Sequence, residues 1–355
     1  MNEIIIYKTY RQNIYIYAYI LAIMITTIQN MDKFDKILLN KLMEDAKISL
    51  KDLSSEINRS KSFTQYRLQN LNNKIIEKIY PLIDVTKLGF IPFDLYLKTK
   101  MNKLEESEFI EILKKEKKIF YIERLVGIFS IRISFFEKNI NLSSDFIKDI
   151  LKDFIERIDD VKINIISSLI KTNNGIFDNS LRKPYRLFEN NKKIHLGRKE
   201  LKILQILNKN PRFSIVDMSQ KTKFSREFIK KTIKKIENEK IVVGYTIDID
   251  IEKLGFMSKL MILKIKLCNK EDYKNFVNYL CSCFVVNTIT TYYPNQLISL
   301  ELIIRGNQEF RDFQVNILNK FSNLIEKIET LDYFDEQKYN YMDDLLEKIL
   351  PEQNL

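Results

Sequence analysis

Histidine and cysteine are scarce in this chain of 355 residues, which contains one histidine and three cysteines. A lone histidine, His195, cannot build a Ser-His-Asp triad or a two-histidine metal site unless two chains share it. Cys281 and Cys283 are spaced C-x-C and Cys268 stands apart, so neither a zinc site nor a disulfide framework is complete. We therefore expect no metal and no cofactor, and we expect the cysteines to be small apolar residues in a reduced, cytoplasmic compartment.

Glycine and proline are also few, at seven and six residues, which excludes collagen-like and Pro/Gly-rich disordered chains. Hydrophobic residues make up 45% and charged residues 30%, an ordinary globular composition. The length suits about two domains of ~150 residues. The 58 Lys and Arg against 47 Asp and Glu give a net charge of +11, which favours nucleic acid or an anionic membrane surface as partner without choosing between them.

The first thirty residues differ from the rest, since residues 14–28 are almost wholly apolar. This run is shorter than the ~20 residues that a membrane helix needs. Three interpretations stay open for residues 1–30: an extension upstream of a translation start at Met31, a weak membrane anchor, or a cleaved signal peptide. For the last, no small-x-small cleavage site follows cleanly.

The chain repeats itself at a spacing of about 165 residues, which is its most informative feature. Residues 35–60 align with residues 200–225, with apolar positions and serines in register. After a shift of one residue, Asp84–Phe90 matches Asp250–Phe256 at five of seven positions. The sequence therefore contains two copies of one two-part unit.

Each copy begins with three predicted helices. An amphipathic first helix is followed by a second helix that begins at Ser49 or Ser214, and by a third that Ser60 or Ser225 caps. β-rich segments come next, and this order predicts a winged helix-turn-helix domain. The two domains are expected at residues 31–83 and 196–249.

The second part of each copy alternates strand and helix as β-α-β-β-α-β, which predicts a ferredoxin-like domain. The last strand of the second copy is predicted at 329–334. The predicted fold class is α+β, in which two winged helix-turn-helix domains alternate with two ferredoxin-like domains by internal duplication. The ferredoxin-like domains are expected at 84–172 and 250–340, with a polar linker at 173–195 and a C-terminal tail at 341–355.

This two-part unit resembles the Lrp/AsnC family of archaeal and bacterial transcription regulators, and its tandem form looks like a fused archaeal regulator. The resemblance implies winged domains that bind DNA and ferredoxin-like domains that dimerise and bind a small effector. It covers about residues 31–172 and 196–340. The residues that carry it are Asp35, Leu38, Leu39, Leu42, Asp45, Ala46, Lys47, Ile48 and Ser49, then Ile203, Leu204, Leu207, Asn210, Pro211, Arg212, Phe213 and Ser214, with Leu-Gly-Phe at 88–90 and 254–256.

The resemblance also places an amino-acid pocket at the turn between the two middle strands, where the family often has Gly-x-x-Asp. The first copy keeps Gly127 but has Ser130 at the position of the acid, whereas the second copy has no glycine there. Gly127 and Ser130 are therefore the candidate residues for binding an amino-acid-like effector. Near the second turn, Tyr292 and Tyr293 either line a ligand pocket or pack in the core.

The third helix of each winged domain is predicted to contact double-stranded DNA. Residues 197–240 hold thirteen basic against five acidic residues, whereas residues 31–74 hold nine against six. Because phosphate contacts dominate non-specific affinity, the second domain should bind more tightly and with more salt dependence. The candidate DNA-binding residues are Lys61, Ser62, Gln65, Tyr66 and Arg67 in the first domain, and Arg226, Glu227, Lys230, Lys231 and Lys234 in the second.

The leading hypothesis is a sequence-specific DNA-binding transcription regulator that is not an enzyme. Its two halves would pair within one chain, with or without homo-oligomerisation, and present two non-identical helices to an imperfect palindrome. Three alternatives remain: a solvated lysine face on a winged module that docks protein, a membrane-tethered protein, and a tetrapyrrole enzyme without DNA binding. Siroheme decarboxylases have a similar two-part build, although their family chemistry relies on histidine and arginine, and neither ferredoxin-like domain here contains histidine.

Overall fold

The computed structural model describes residues 31–173, 176–178, 180–189, 192–294 and 296–339, together with residues 342, 343 and 346. The predicted extension at 1–30 and most of the predicted tail lie outside these residues. None of the helices in this part of the chain combines the length and the hydrophobicity that a membrane span requires.

The described chain begins with three helices that form a helix-turn-helix. Ser49 and Ser60 cap the second and third helices, as their positions in the sequence predicted, because each hydroxyl accepts a backbone N–H of the first turn. Leu39 and Leu53 are fully buried in the core that these helices share. The bounds are α1 Lys33–Glu44, α2 Leu50–Glu56 and α3 Lys61–Lys74, followed by β1 Ile76–Ile83.

A βαββαβ unit follows, after a short 3-10 helix at Val85–Leu88. Side chains alternate along its strands, so Phe93, Leu95 and Leu97 pack under the two helices while Asp94 and Tyr96 lie on the opposite face. The bounds are β2 Ile91–Thr99, α4 Lys103–Lys115, β3 Ile119–Val126, β4 Ile131–Glu137, α5 Ile140–Leu151 with a 3-10 extension at Lys152–Arg157, and β5 Ile158–Lys171.

The segment predicted as a linker, residues 173–195, contains a short strand, β6 Tyr185–Leu187, which pairs with β5. Just beyond it, the Phe188 amide donates a hydrogen bond to Asp84 Oδ2 at 3.0 Å. This part of the connection is therefore packed on the first half of the molecule.

The second half has the same order of elements. Its helix-turn-helix consists of α6 Arg198–Lys209, α7 Ile215–Thr222 and α8 Arg226–Asn238, and β7 Val242–Ile249 follows. Ser214 and Ser225 cap α7 and α8 as predicted. The second βαββαβ unit consists of β8 Met257–Ile265, α9 Lys270–Ser282, β9 Val286–Tyr292, β10 Leu297–Ile304, α10 Asn307–Phe321 and β11 Ile325–Tyr339.

The predicted end of the last strand at residue 334 is wrong, because β11 continues to Tyr339. Its first part pairs with β8 of its own half, and its second part, from Asp332 onward, pairs with β3 of the other half. The extra length therefore exists because two different partners stabilise successive parts of one strand.

The two winged domains are joined by an antiparallel ribbon of β1 and β7, in which Tyr80 lies opposite Thr246. Each domain contributes one strand, and one hydrophobic cluster extends from the first domain to Leu204 and Ile236 of the second. A separate cluster, with Leu207 and Met218, lies inside the second helix-turn-helix. At Gly244 on β7, the ring of Tyr185 passes so close that a Cβ atom would lie 2.1 Å from it. Only glycine leaves room for this contact between β6 and the ribbon.

The two ferredoxin-like halves form one closed sheet. Their strand orders are β5-β2-β4-β3 and β11-β8-β10-β9, and β3 pairs with β11 while β5 pairs with β9. Both ends of each four-stranded sheet are therefore joined to the other half, which gives a ring of eight antiparallel strands. Helices α4, α5, α9 and α10 pack against its outer surface. The predicted α+β class is confirmed.

Candidate functional site

The interior of the closed sheet contains a buried ionic group centred on Arg132. Its guanidinium lies 3.3 Å from Asp94 Oδ2, 3.2 Å from Glu123 Oε1 and 3.1 Å from Glu301 Oε1. Strand alternation explains the placement, because all four residues occupy inward positions of β2, β3, β4 and β10. The Arg132–Glu301 pair joins the two halves across the interior.

Tyrosines surround this group and donate hydrogen bonds to its carboxylates. Tyr292 Oη donates to Asp94 Oδ2 at 2.5 Å and lies 3.0 Å from Tyr96 Oη, while Tyr121 Oη donates to Glu123 Oε2 at 2.6 Å. Burial raises the pKa of all three phenols, so they remain neutral donors. Together with Ser134, which donates to Asp94, these residues form what we term the interior network.

The interior network has more acids than bases, since one guanidinium faces three carboxyl groups. Burial is the main cause that raises the pKa of Glu123, although Arg132 opposes it. On β11, the surrounding protein atoms, followed by the charges of Asp248 and Glu123, raise the pKa of Glu336 to about 8. Glu123 and Glu336 therefore hold a proton more tightly than a free glutamate does, which qualifies them for acid–base chemistry.

The ribbon of the winged domains adds further acids to one edge of this region. Burial and the neighbouring charge of Asp248 raise the pKa of Glu77 on β1. Lys171 on β5 is a nearby cation, and its Nζ donates to Asn287 Oδ1 at 2.9 Å while burial lowers its pKa. The region between the ribbon and the closed sheet therefore contains several groups whose pKa is shifted by burial and by neighbouring charges.

The interior charge is not distributed evenly between the two halves. Alignment on the two Leu-Gly-Phe segments places Leu260 at the position of Asp94 and Ile262 at that of Tyr96. The inward position of β10 that corresponds to Arg132 holds Ser299, which is also buried. The second half contributes Glu301 and Tyr292, but the chemistry centres on the first half.

His195 does not belong to this region. It is exposed in the segment before α6, where its backbone carbonyl accepts a 3.5 Å hydrogen bond from Lys235 Nζ. In the part of the chain that the structure describes, no group of three or more histidine, cysteine or acidic side chains is placed to hold a metal ion.

The residues predicted to bind DNA on the second winged domain lie on one exposed face of α8. Among the described residues, none of them makes an ion pair within 4.0 Å. Ser225 caps the helix beneath them, and Ile229 and Ile236 are buried on its inner face. The exposed members are Arg226, Glu227, Lys230, Lys231 and Lys234.

On the first winged domain, Lys61, Ser62, Gln65 and Tyr66 are exposed on α3. Arg67 is placed differently, because its guanidinium pairs with Asp32 and lies 3.5 Å from Asp35, both at the start of α1. Its contacts therefore hold α3 against α1. DNA binding by these residues stays a prediction.

The candidate effector residues lie at the turn between β3 and β4. Gly127 adopts a φ of 149°, and a Cβ atom there would lie 3.4 Å from Leu331 of the other half. Ser130 Oγ accepts a hydrogen bond from Thr99 N at 3.2 Å. These contacts fix the turn against neighbouring strands, and effector binding stays a prediction.

Sequence reasoning did not identify the interior network. A signal was present, because Asp94, Arg132 and Glu301 interrupt strands that are otherwise almost wholly apolar. A charged residue in a strand with apolar neighbours on both sides indicates a paired interior charge, since unpaired burial would be costly. Of the two tyrosines for which the sequence left a ligand pocket or core packing open, Tyr292 is buried within this network, whereas Tyr293 is exposed.

Comparison with solved structures gives a match along most of the chain. The structure of siroheme decarboxylase NirDL superposes with a TM-score of 0.61 at 12% sequence identity, covering 90% of this chain and 98% of that chain. The chain shares the fold of that enzyme. A second structure of NirDL, in co-complex with an iron-uroporphyrin III analogue, gives a TM-score of 0.58 at 12% identity, with 90% and 97% coverage.

Transcription regulators match a smaller part of the chain. An AsnC family regulator from Agrobacterium tumefaciens covers 38% of this chain and 89% of its own, at 20% identity and a TM-score of 0.35. A transcriptional regulator from Neisseria meningitidis in complex with L-Met covers the same shares at 21% identity and a TM-score of 0.35. No protein-family model and no curated protein matches the sequence.

The prediction that the chain is not an enzyme is contradicted, because the solved structure that matches 90% of it is that of an enzyme. The prediction rested on the absence of histidine from both ferredoxin-like halves. Buried carboxyl groups, tyrosines and an arginine supply acid–base groups of another kind, so a missing histidine does not exclude catalysis.

Proposed function

We propose that this chain is a decarboxylase acting on a carboxylate-bearing tetrapyrrole of the siroheme class. The observation that supports this most is the superposition on siroheme decarboxylase NirDL, which spans both winged domains and both ferredoxin-like halves. The repeated element order and the recurring Leu-Gly-Phe segments support an origin of the two halves by internal duplication.

Decarboxylation requires chemistry that the interior network and its surroundings can perform. The bond between the carboxylate carbon and the rest of the substrate breaks, CO2 leaves, and the remaining carbon takes up a proton. A protonated side chain must supply that proton, and the pKa of Glu336, raised to about 8, keeps one carboxylic acid available near neutral pH.

The excess of acidic groups also favours loss of the substrate's negative charge. A substrate carboxylate held near Asp94, Glu123 and Glu301 experiences repulsion that one guanidinium does not cancel. When neutral CO2 leaves, the electron pair of the broken bond stays on the substrate carbon, and the repulsion is relieved once that carbon takes up the proton. The surrounding phenols stay neutral, so they orient groups by hydrogen bonding without adding charge.

Two measurements on the full chain test the proposal. Titration with iron-uroporphyrin III should shift the absorbance of the porphyrin with saturation, and incubation with siroheme should yield a product that mass spectrometry identifies by loss of CO2. Glu301→Gln should reduce the rate at least about tenfold, since it removes an interaction with Arg132. Glu326→Gln, which alters an exposed ion pair with Lys264, is the matched control and should keep the rate. Absence of both binding and CO2 loss would refute the proposal.

Duplex DNA binding is a second candidate function. The exposed basic face of α8, with Lys230, Lys231 and Lys234 beside Arg226, favours it. A helix that presents unpaired cations can neutralise several backbone phosphates.

A further inference from the structure

We infer that Glu123 and Glu336 form a carboxyl pair across the seam between the two halves, which shares one proton and delivers it to the substrate carbon that loses CO2. In that step an O–H bond of the pair breaks, a C–H bond forms, and solvent returns a proton to the pair. The destination of the proton rests on the proposed function, whereas the shared proton itself does not.

The register of the closed sheet places the two glutamates together. In the pairing of β3 with β11, Glu123 and Glu336 are direct partners. Directly opposed residues of antiparallel strands project from the same face, with Cβ atoms about 4.5–5.5 Å apart. Two ionised carboxylates at that separation repel each other, so the arrangement is most stable when one of them carries a proton.

The surroundings decide which member of the pair carries that proton. Glu123 is buried and accepts hydrogen bonds from Arg132 Nη1 at 3.2 Å and from Tyr121 Oη at 2.6 Å, and both donors favour its ionised form. Among the described residues, the charged groups that act most on Glu336 are acids, which include Asp248 and Glu77 of the ribbon. The charged and titratable groups that face the pair are Arg132, Tyr121, Glu301, Tyr333, Glu77 and Asp248.

Exposure gives the two glutamates different roles. Glu123 is 3% exposed, whereas Glu336 is exposed to solvent. A proton given up by Glu336 can therefore be replaced from water, while the fixed negative charge of Glu123 keeps the proton affinity of its neighbour high. The pKa of Glu336, raised to about 8, agrees with this division.

Infrared spectroscopy of the full chain, without substrate, tests the shared proton. We expect a C=O stretching band of a protonated carboxyl group near neutral pH, which titrates away with a midpoint near pH 8. Glu336→Gln should remove it, and Glu123→Gln should move its midpoint to lower pH because a neighbouring negative charge is lost. Glu326→Gln, on the same strand but in an exposed ion pair with Lys264, should leave the band unchanged.

A band that is absent, or that survives in Glu336→Gln, would refute the shared proton whatever the substrate is. Glutamine mimics the protonated acid, so the variant should fold, and circular dichroism checks this. With siroheme as substrate, Glu336→Gln should lower kcat by about 10²–10⁴-fold while binding of iron-uroporphyrin III is unchanged. If Glu336→Gln decarboxylates siroheme at the wild-type rate, proton delivery by the pair is refuted while the decarboxylase proposal stands. If the wild-type chain is inactive but shows the C=O band, only the decarboxylase proposal is refuted.

Discussion

Replacing Arg132 with methionine tests the electrostatics of the interior network. The side chain of Arg132 is 5% exposed, and those of Asp94 and Glu123 are 0% and 4% exposed. Methionine retains much of the aliphatic volume, so the main effect is the loss of the one cation between buried carboxylates. Removing a single partner from a buried pair costs about 3–5 kcal/mol, because the remaining charge is left uncompensated.

The same substitution should change how stability depends on pH. Without the guanidinium, which opposes the effect of burial, the pKa of Glu123 in the folded chain rises further above its unfolded value. The native variant then binds more protons than its unfolded state, so its stability falls as the pH rises. The destabilisation should accordingly be larger at pH about 8 than at pH about 5, where the carboxyl group of Glu123 takes up a proton more readily.

Denaturation with urea at these two pH values, followed by circular dichroism, measures both effects. The matched control is Arg157→Met, because Arg157 is 52% exposed and pairs with Glu105 at 2.9 Å. An exposed pair of this kind contributes about 0–1 kcal/mol. A loss in Arg132→Met no larger than in the control, or a loss independent of pH, would show that the interior charges are not coupled as described.

Three further predictions concern other parts of the molecule. The free energy of unfolding of the wild-type chain should fall as the pH rises from 4.5 to about 8, because Glu336 binds its proton more tightly in the folded state. In urea denaturation, Glu336→Gln should make this dependence on pH weaker. An unchanged dependence would contradict the prediction. Gly244→Ala should lower the free energy of unfolding by about 1–3 kcal/mol, because the added methyl group would overlap the ring of Tyr185. Gly306 has open space around it, so Gly306→Ala should leave the stability unchanged. Equal effects of the two substitutions in thermal unfolding would count against the described fold. The double variant Lys230→Ala, Lys231→Ala should bind every duplex sequence more weakly, and the dependence of log K on log[salt] should become shallower by up to about 1.8. Fluorescence anisotropy at several salt concentrations measures both effects. The control is Lys270→Ala with Lys274→Ala on α9, and identical behaviour of the two double variants would exclude α8 as the helix that contacts DNA.

The chain has two regions of opposite charge. The exposed face of α8 is basic, with Lys230 and Lys234, whereas the region between the ribbon and the closed sheet is acidic, with Glu77, Asp248 and Glu336. The two regions have no residue in common, so a substitution in one leaves the charged residues of the other in place. Separate variants can therefore test duplex binding and decarboxylation independently.

Local sequence patterns determined the secondary structure and the order of the elements. Serine hydroxyls at Ser49, Ser60, Ser214 and Ser225 cap helices wherever the chain places them, since the N–H groups that they satisfy are only two or three residues away. Apolar periodicity likewise marked which face of each helix would be buried. The winged helix-turn-helix and ferredoxin-like elements therefore follow from the sequence by itself.

The candidate site depended on pairings that no local pattern encodes. Arg132 and Glu301 are 169 residues apart, and Glu336 lies beyond the predicted end of its strand, because only the contact with β3 extends β11 that far. The apolar neighbours of Asp94, Arg132 and Glu301 in the sequence indicate burial, but they do not identify which residues of the other half pair with them. Closure of the two sheets into one ring buried Asp94, Arg132 and Glu123 beside the partly exposed Glu301. That tertiary event joined scattered polar residues into one network, in which the pKa of Glu123 is raised.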